Sequence, residues 1–295
     1  MRKLLLSLGI TILLFLIWYL FIKPYDYQVS FSANAFPGTI NQTIKIWNES
    51  LEDAKIINQK SINSLEQQII IENHNYTYNW KINLINDSTS KVKVYISEVG
   101  NSIFNKITIP FLETHIEQYA EKNVKNFYKI IKEHLNNIKV EVKGESETER
   151  TYCVYIPLHT TQIGKANGMM NYYPLLSSFI IENDIQTNGK PIVEISNWDM
   201  VSDSLQYNFC FPIIKTDTLP SHEFLKYKWL ENTKAIKAVY HGNYITSDRA
   251  WYAIMNHAKK NNIEILNTPI EIFYNNPNMG SNEKEWRADI FLPIK

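Results

Sequence analysis

Glycine is scarce in this sequence, with nine among 295 residues, and none of the nine belongs to a loop that could cradle a phosphate. Cysteine is scarcer still: Cys153 and Cys210 are the only two, and their separation fits no metal-ligand spacing. The seven histidines never fall within four residues of one another, so no metal centre can be read from them. A Gly-x-Ser-x-Gly elbow for a nucleophile is also missing. Net charge is absent, because 30 basic residues meet 30 acidic ones, and a nucleic-acid footprint is not expected. No cofactor, metal or nucleic-acid partner is therefore predicted. What remains is 44% apolar and 13% aromatic, which indicates a packed globular chain long enough for two domains.

The first residues stand apart. After Arg2 and Lys3, Leu4–Ile22 carries no charge, and at 1.5 Å per residue it spans roughly 28 Å, about the thickness of a bilayer's hydrocarbon core. Trp18 and Tyr19 lie near one end, where an interfacial belt would place them. A cleaved signal peptide usually has an apolar region of only about 7–15 residues, so an uncleaved anchor over 1–24 is expected. Arg2, Lys3 and the amino terminus outweigh Lys23, which puts the N-terminus in the cytoplasm and the following domains outside it. There the two thiols would allow one disulfide, although two buried free thiols are the preferred reading.

Residues 25–138 read as a first domain of the α+β class. A strand-like run at 25–33 precedes a short helix presenting Ile40, Ile44 and Trp47. Strand-like runs follow at 65–73, 76–86, 90–99 and 102–111. A long helix within 111–137 then carries Leu112, Ile116, Ala120, Val124, Phe127, Ile131 and Leu135 on one stripe. This order resembles the helix-grip fold of START-like (SRPBCC) proteins, and the resemblance implies a curved sheet around the last helix with an apolar cavity. Residues 139–150, "KVEVKGESETER", are charged and small, and are expected to be a linker.

The remainder repeats itself. "NFCFPI" and "DIFLPI" stop at Pro212 and Pro293, which lie 293 − 212 = 81 residues apart. "DIQTNGKPIVEISN" matches "NIEILNTPIEIFYN" at 262 − 184 = 78, and "CVYIPLHTT" matches "AVYHGNYIT" at 238 − 153 = 85. Two modules are expected, 151–214 and 234–295, each strand, helix, strand, strand. Pro174 suits the first turn of one helix, and Ser247 the N-cap of the other. The run Tyr240-His241-Gly242-Asn243-Tyr244, the strand closing at Asn276-Pro277 and the terminal Leu292-Pro293-Ile294 resemble the GyrI-like, or AraC-type effector-binding, family over about 149–295. The resemblance implies a groove between two sheets that takes small, often aromatic or cationic molecules, commonly with a buried acid. Asn208 stands where the family's first copy often has an acid, and no helix-turn-helix region is read here.

Strand alternation supplies candidate site residues. Trp286, Ala288, Ile290 and Leu292 share one face of their strand, as do Ile270, Ile272 and Tyr274. With the aliphatic faces turned to the helices, Glu271, Phe273, Asp289 and Phe291 are expected together on the opposite face, suited to a cation. Trp251 and Tyr252 would close one end, though Trp251 serves equally as plain core, and Tyr240 joins the set. The expected function is capture of a small hydrophobic or cationic aromatic molecule at a membrane. A hydrolase using a groove carboxylate and a protein-interaction module are the two alternatives.

Overall fold

The computed structural model describes residues 2–277, 280 and 282–295. It separates into two compact units, Met1–Glu133 and His134–Lys295. Each is built on its own antiparallel sheet.

The first unit opens with α1 (Arg2–Ile17), which continues into a π-helical turn at Trp18–Ile22. Lys3–Ile22, 20 residues with none buried, is long and apolar enough to cross a membrane; a signal sequence has the same character. Next come β1 (Tyr27–Ala33), α2 (Pro37–Glu49), β2 (Ala54–Ser61), β3 (Ser64–Ile71), β4 (His74–Leu84) and β5 (Ser90–Glu98). Two helices, α3 (Ser102–Thr108) and α4 (His115–Asn136), complete it, the last three residues of α4 falling past the boundary at Glu133. The strands lie in the order β1-β5-β4-β3-β2. Alternation buries Tyr76, Tyr78, Trp80 and Ile82 on β4 and Val92, Val94 and Ile96 on β5. Trp80 meets Phe127 of α4 at 5.1 Å and Trp47 of α2 at 6.1 Å between ring centres, so an aromatic triad joins helices and sheet. The Trp80 indole donates to Gln67 Oε1 at 3.0 Å, which satisfies a buried polar pair. Thr114 and Glu117 cap α4: the Thr114 amide and hydroxyl both donate to Glu117 Oε2, at 2.9 and 2.8 Å.

Two expectations for this unit change. The run at 102–111 is not a strand but α3 and a following turn, because Asn105 and Lys106 find buried partners on the inward side of a helix. Leu112 lies outside α4 and is exposed. Strand β2 went unread, since its alternation runs between half-buried and exposed positions with no apolar face to announce it.

The second unit contains β6 (Lys139–Glu147), β7 (Thr151–Thr160), α5 (Lys165–Glu182), β8 (Ile192–Asp199), β9 (Ser204–Pro212), β10 (Lys226–Leu230), β11 (Lys234–His241), α6 (Arg249–Lys260), β12 (Ile270–Phe273) and β13 (Arg287–Pro293). Its eight strands run β10-β7-β9-β8-β12-β13-β11-β6. Outward from the central β8–β12 pair the sequence of roles is the same: β8, β9, β7, β10 on one side and β12, β13, β11, β6 on the other. Small details recur at matching places. Isolated bridges join Thr187 to Ile213 and Ile265 to Ile294. Asp184 and Asn262 both adopt positive φ, 52° and 55°, just past the ends of α5 and α6. The carbonyls of Pro212 and Pro293 accept from Asn188 and Leu266, each at 2.8 Å.

The segment 139–150 corrects the linker expectation. Residues 139–147 form β6, an edge strand paired along β11, and its alternating charges suit an exposed edge. Helix α5 begins at Lys165, so Pro174 lies inside it, not in its first turn. A proline there leaves one carbonyl of the preceding turn without its amide partner, a cost the surrounding helix tolerates. Cys153 and Cys210 are buried free thiols, and burial pushes the Cys210 thiol well up.

Candidate functional site

A cleft of about 560 Å³ opens on the helix-covered side of the second sheet. One wall comes from the first half. Helix α5 supplies Ala166, Met169, Met170 and Tyr173, which recur at helical spacing, and β9 supplies Phe209 and Phe211, alternate positions of one strand face. Tyr173 and Phe211 meet edge to face at 5.2 Å, and Phe209 and Phe211 at 5.4 Å. The other wall comes from the second half: Tyr244, Phe273 and Trp286. Tyr244 packs on Phe273 at 4.7 Å and on Trp286 at 5.4 Å. The result is an aromatic slot.

The chain around Tyr244 is held tightly. Its hydroxyl donates to the Arg287 carbonyl at 2.8 Å and accepts from the Asn275 amide at 3.0 Å. Gly242 has φ of +144°, and a Cβ there would meet Tyr240 Oη at 2.6 Å and Ile138 Cγ2 at 2.9 Å, so only glycine fits between the two tyrosines. Tyr240 is a buried brace: its hydroxyl donates to the Asn243 carbonyl at 2.8 Å and lies 2.8 Å from Thr246 Oγ1. The polar lining consists of Thr187, Lys190 and Asn243, Asn275 and Asn276. Among the described residues that line the slot there is no carboxylate.

Glu271 lies outside that lining. Glu271 and Lys165 are both fully buried and form an ion pair. The Trp251 indole donates to Glu271 Oε1 at 2.7 Å, Lys165 Nζ donates to Ser247 Oγ at 2.8 Å, and Ser247 Oγ lies 3.1 Å from Glu271 Oε2. The Lys165 ammonium also stands 4.8 Å from the Trp251 ring centre. A second buried network adjoins it. Asp248 takes Arg249 Nη1 on both oxygens, at 3.0 and 2.8 Å, and Gln162 Nε2 donates to Asp248 at 2.9 Å. Burial pushes the Asp248 carboxyl up, against the pull of Arg249 and Lys165. The Tyr252 hydroxyl bonds to Gln162, and burial raises its phenol too.

Ser247 therefore belongs to the ion-pair cluster and not to an N-cap; Asp248 occupies that position, with no side-chain cap bond. The expected common face of Glu271, Phe273, Asp289 and Phe291 is also corrected. Cross-strand partners share a face, and the register pairs Glu271 with Ile290 and Phe273 with Ala288, but Ile272 with Asp289 and Ile270 with Phe291. Glu271 and Phe273 thus face the helices, while Asp289 and Phe291 lie across the sheet. Alternation within each strand was right; the relation between the strands was set by a register that alternation cannot carry.

On that far side the cations come from the chain itself. Asp289 pairs with Arg287 through Nε at 2.9 Å and Nη2 at 3.0 Å, and with Lys237 at 2.7 Å. Burial alone would raise the Asp289 carboxyl, but these partners hold it below the usual carboxylate range. Lys237 lies 5.2 Å from the Phe291 ring, and Arg287 lies 4.5 Å from that of Tyr274. Of the seven expected site residues only Phe273 lines the slot. Trp251, Tyr252 and Tyr240 are buried and outside its lining.

A model of the GyrI-like small molecule binding domain matches residues 146–295. The chain belongs to the GyrI-like family. Solved structures similar to this GyrI-like chain include the EcmrR C-terminal domain, at 12% identity over 54% of this chain and 98% of that one, with a TM-score of 0.44. SAV2435, solved bound to tetraphenylphosphonium, is 10% identical over 52% of this chain and 94% of its own, with a TM-score of 0.39. A hydrolase from Listeria innocua is 9% identical over 59% and 98%, with a TM-score of 0.35. No curated protein matches in sequence. Within the GyrI-like domain, sequence reasoning passed over Tyr173, Phe209, Phe211, Tyr244 and Trp286, which build the slot. Their signal was density: 209 and 211 alternate on one strand, and 244 closes the Tyr-x-Gly-x-Tyr run.

Proposed function

We propose that the GyrI-like domain binds an uncharged, planar aromatic molecule between its two aromatic walls. The observation that carries this reading is the Lys165–Glu271 pair, which gives the buried acid a resident cation and leaves the described lining of the slot without a negative group. A cationic ligand would leave water for a cleft whose described lining offers ring faces, asparagine amides and the Lys190 ammonium but no carboxylate. A cleft of this volume suits a molecule of two or three fused rings. Calorimetric titration of the full chain at neutral pH with quinoline and with N-methylquinolinium, two molecules of nearly one shape, tests the preference. Quinoline is expected to bind at least as tightly. Tighter binding of the cation by tenfold or more, about 1.4 kcal/mol, would overturn the reading.

In the same proposal Lys3–Ile22 anchors the chain in a membrane with its N-terminus in the cytoplasm, supported by length, by the absence of charge and by Trp18 and Tyr19 at one end. Residues 25–138 are read as a START-like helix-grip unit, supported by the order strand, helix, antiparallel strands, long closing helix. The two halves of the second unit are read as a duplicated module, supported by the recurrent bridges and positive-φ residues. Such a protein would capture apolar small molecules next to the bilayer into which they partition.

A further inference from the structure

The short helix α3 and the turn after it are built inside out. Their inward side is polar. Ser102 bonds to Asp26, and Asn105 Nδ2 donates to Glu98 Oε2 at 2.7 Å. Asn105 and Lys106 are each only 4% exposed. The outward side is apolar: Ile103, Phe104 and Ile107 are about half exposed or more, Leu112 is 66% exposed and Phe111 is 81% exposed. Ile103, Ile107 and Phe111 recur every four residues, with Phe104 three before Ile107, so these side chains form one stripe and not scattered singles.

In water this orientation is backwards, since the polar groups are hidden and the rings are wet. Its place in the unit explains it. Lys106 Nζ donates to the carbonyls of Lys23 and Leu20, at 2.6 and 3.2 Å, so it closes the end of the apolar N-terminal helix. The stripe therefore begins where the candidate membrane span ends. We propose that α3 and residues 109–112 lie in the lipid interface beside that span, a second membrane contact that fixes how the first unit stands on the bilayer. The bilayer is the occupant because the patch is continuous with the span, and interfacial segments present apolar side chains to a depth of about 5–10 Å. The inference rests on the reading that Lys3–Ile22 is embedded.

Site-directed spin labelling of the full chain in phospholipid nanodiscs tests it. Native Cys153 and Cys210 are fully buried and escape the label. Labels go on Phe104→Cys and Phe111→Cys, both too exposed for substitution to disturb the core. Leu13→Cys reports the span, and Ser88→Cys reports the β4–β5 turn, at the opposite end of β4 from the span. Collision with oxygen relative to a water-soluble nickel chelate is expected to rise several-fold at 104 and 111 over Ser88, as at Leu13. If 104 and 111 match Ser88 while Leu13 reports lipid, the proposal is overturned and the stripe belongs to another protein or a second copy. If Leu13 itself reports water, the span reading fails and takes this inference with it.

Discussion

Replacing Lys165 by methionine keeps a four-atom apolar stem and removes the ammonium from a site with no solvent-exposed surface. Glu271 would then keep the Trp251 indole and the Ser247 hydroxyl but no cation. Breaking a buried ion pair by deleting one partner costs roughly 3–5 kcal/mol, because the survivor is left charged and unsolvated. Glu271→Gln should cost a similar amount by stranding Lys165. The double variant should cost far less than the sum, about 1–2 kcal/mol, since glutamine still accepts from Trp251 and nothing charged remains. Hydrogen exchange of peptides from α5, α6 and β12 in the full chain reads the second unit separately from the first. Opening of those peptides is expected to rise between about a hundredfold and a few thousandfold in each single variant and to fall back in the double. Additive losses, with the double variant the worst of the three, would refute the claim that the two charges serve each other.

Other outcomes follow from the same geometry. Tyr244→Ala and Trp286→Ala should each weaken quinoline binding by roughly 1–3 kcal/mol in titration, as loss of a buried ring contact does, while Tyr252→Phe should leave it nearly unchanged. Gly242→Ala should destabilise the second unit by at least about 1–2 kcal/mol in urea unfolding, since alanine resists positive φ and would displace the Tyr240 hydroxyl from Thr246. Burial, with Arg249 alongside, pushes the His134 imidazole down to about 3. Between an ordinary histidine value near 6.5 and that one, the unfolded chain holds a proton the folded chain does not, so stability should fall as pH drops through this window. His134→Gln should flatten that part of the pH profile of the melting temperature. Equal slopes in the two proteins would remove His134 from the account.

The elements that could be read from sequence are those whose pattern matches their surroundings. Helix α4 shows its stripe because water lies on one side and Trp80 on the other, and β4 and β5 alternate for the same reason. Helix α3 could not be read this way: its apolar residues point outward, and two of its polar ones, Ser102 and Lys106, have partners more than 75 residues away. The slot was hidden by register. In "IEIF" the isoleucines look like the inward positions, yet Glu271 and Phe273 turn inward, which is possible only because Lys165 waits 106 positions earlier in the chain. No spacing rule announces a partner at that distance. The family resemblance located the domain but not the slot's walls, because Gly242 is legible as a motif while Phe209 and Phe211 look like any strand.

The two halves of the second sheet meet along β8 and β12 at only three paired positions. Lys165 belongs to one half and Glu271 to the other. So do Gln162 and Asp248. Neither half, cut free, could keep both members of a pair. The seam between the halves is thus held by groups that are useful only as partners, so a change at position 165 costs least when position 271 changes with it.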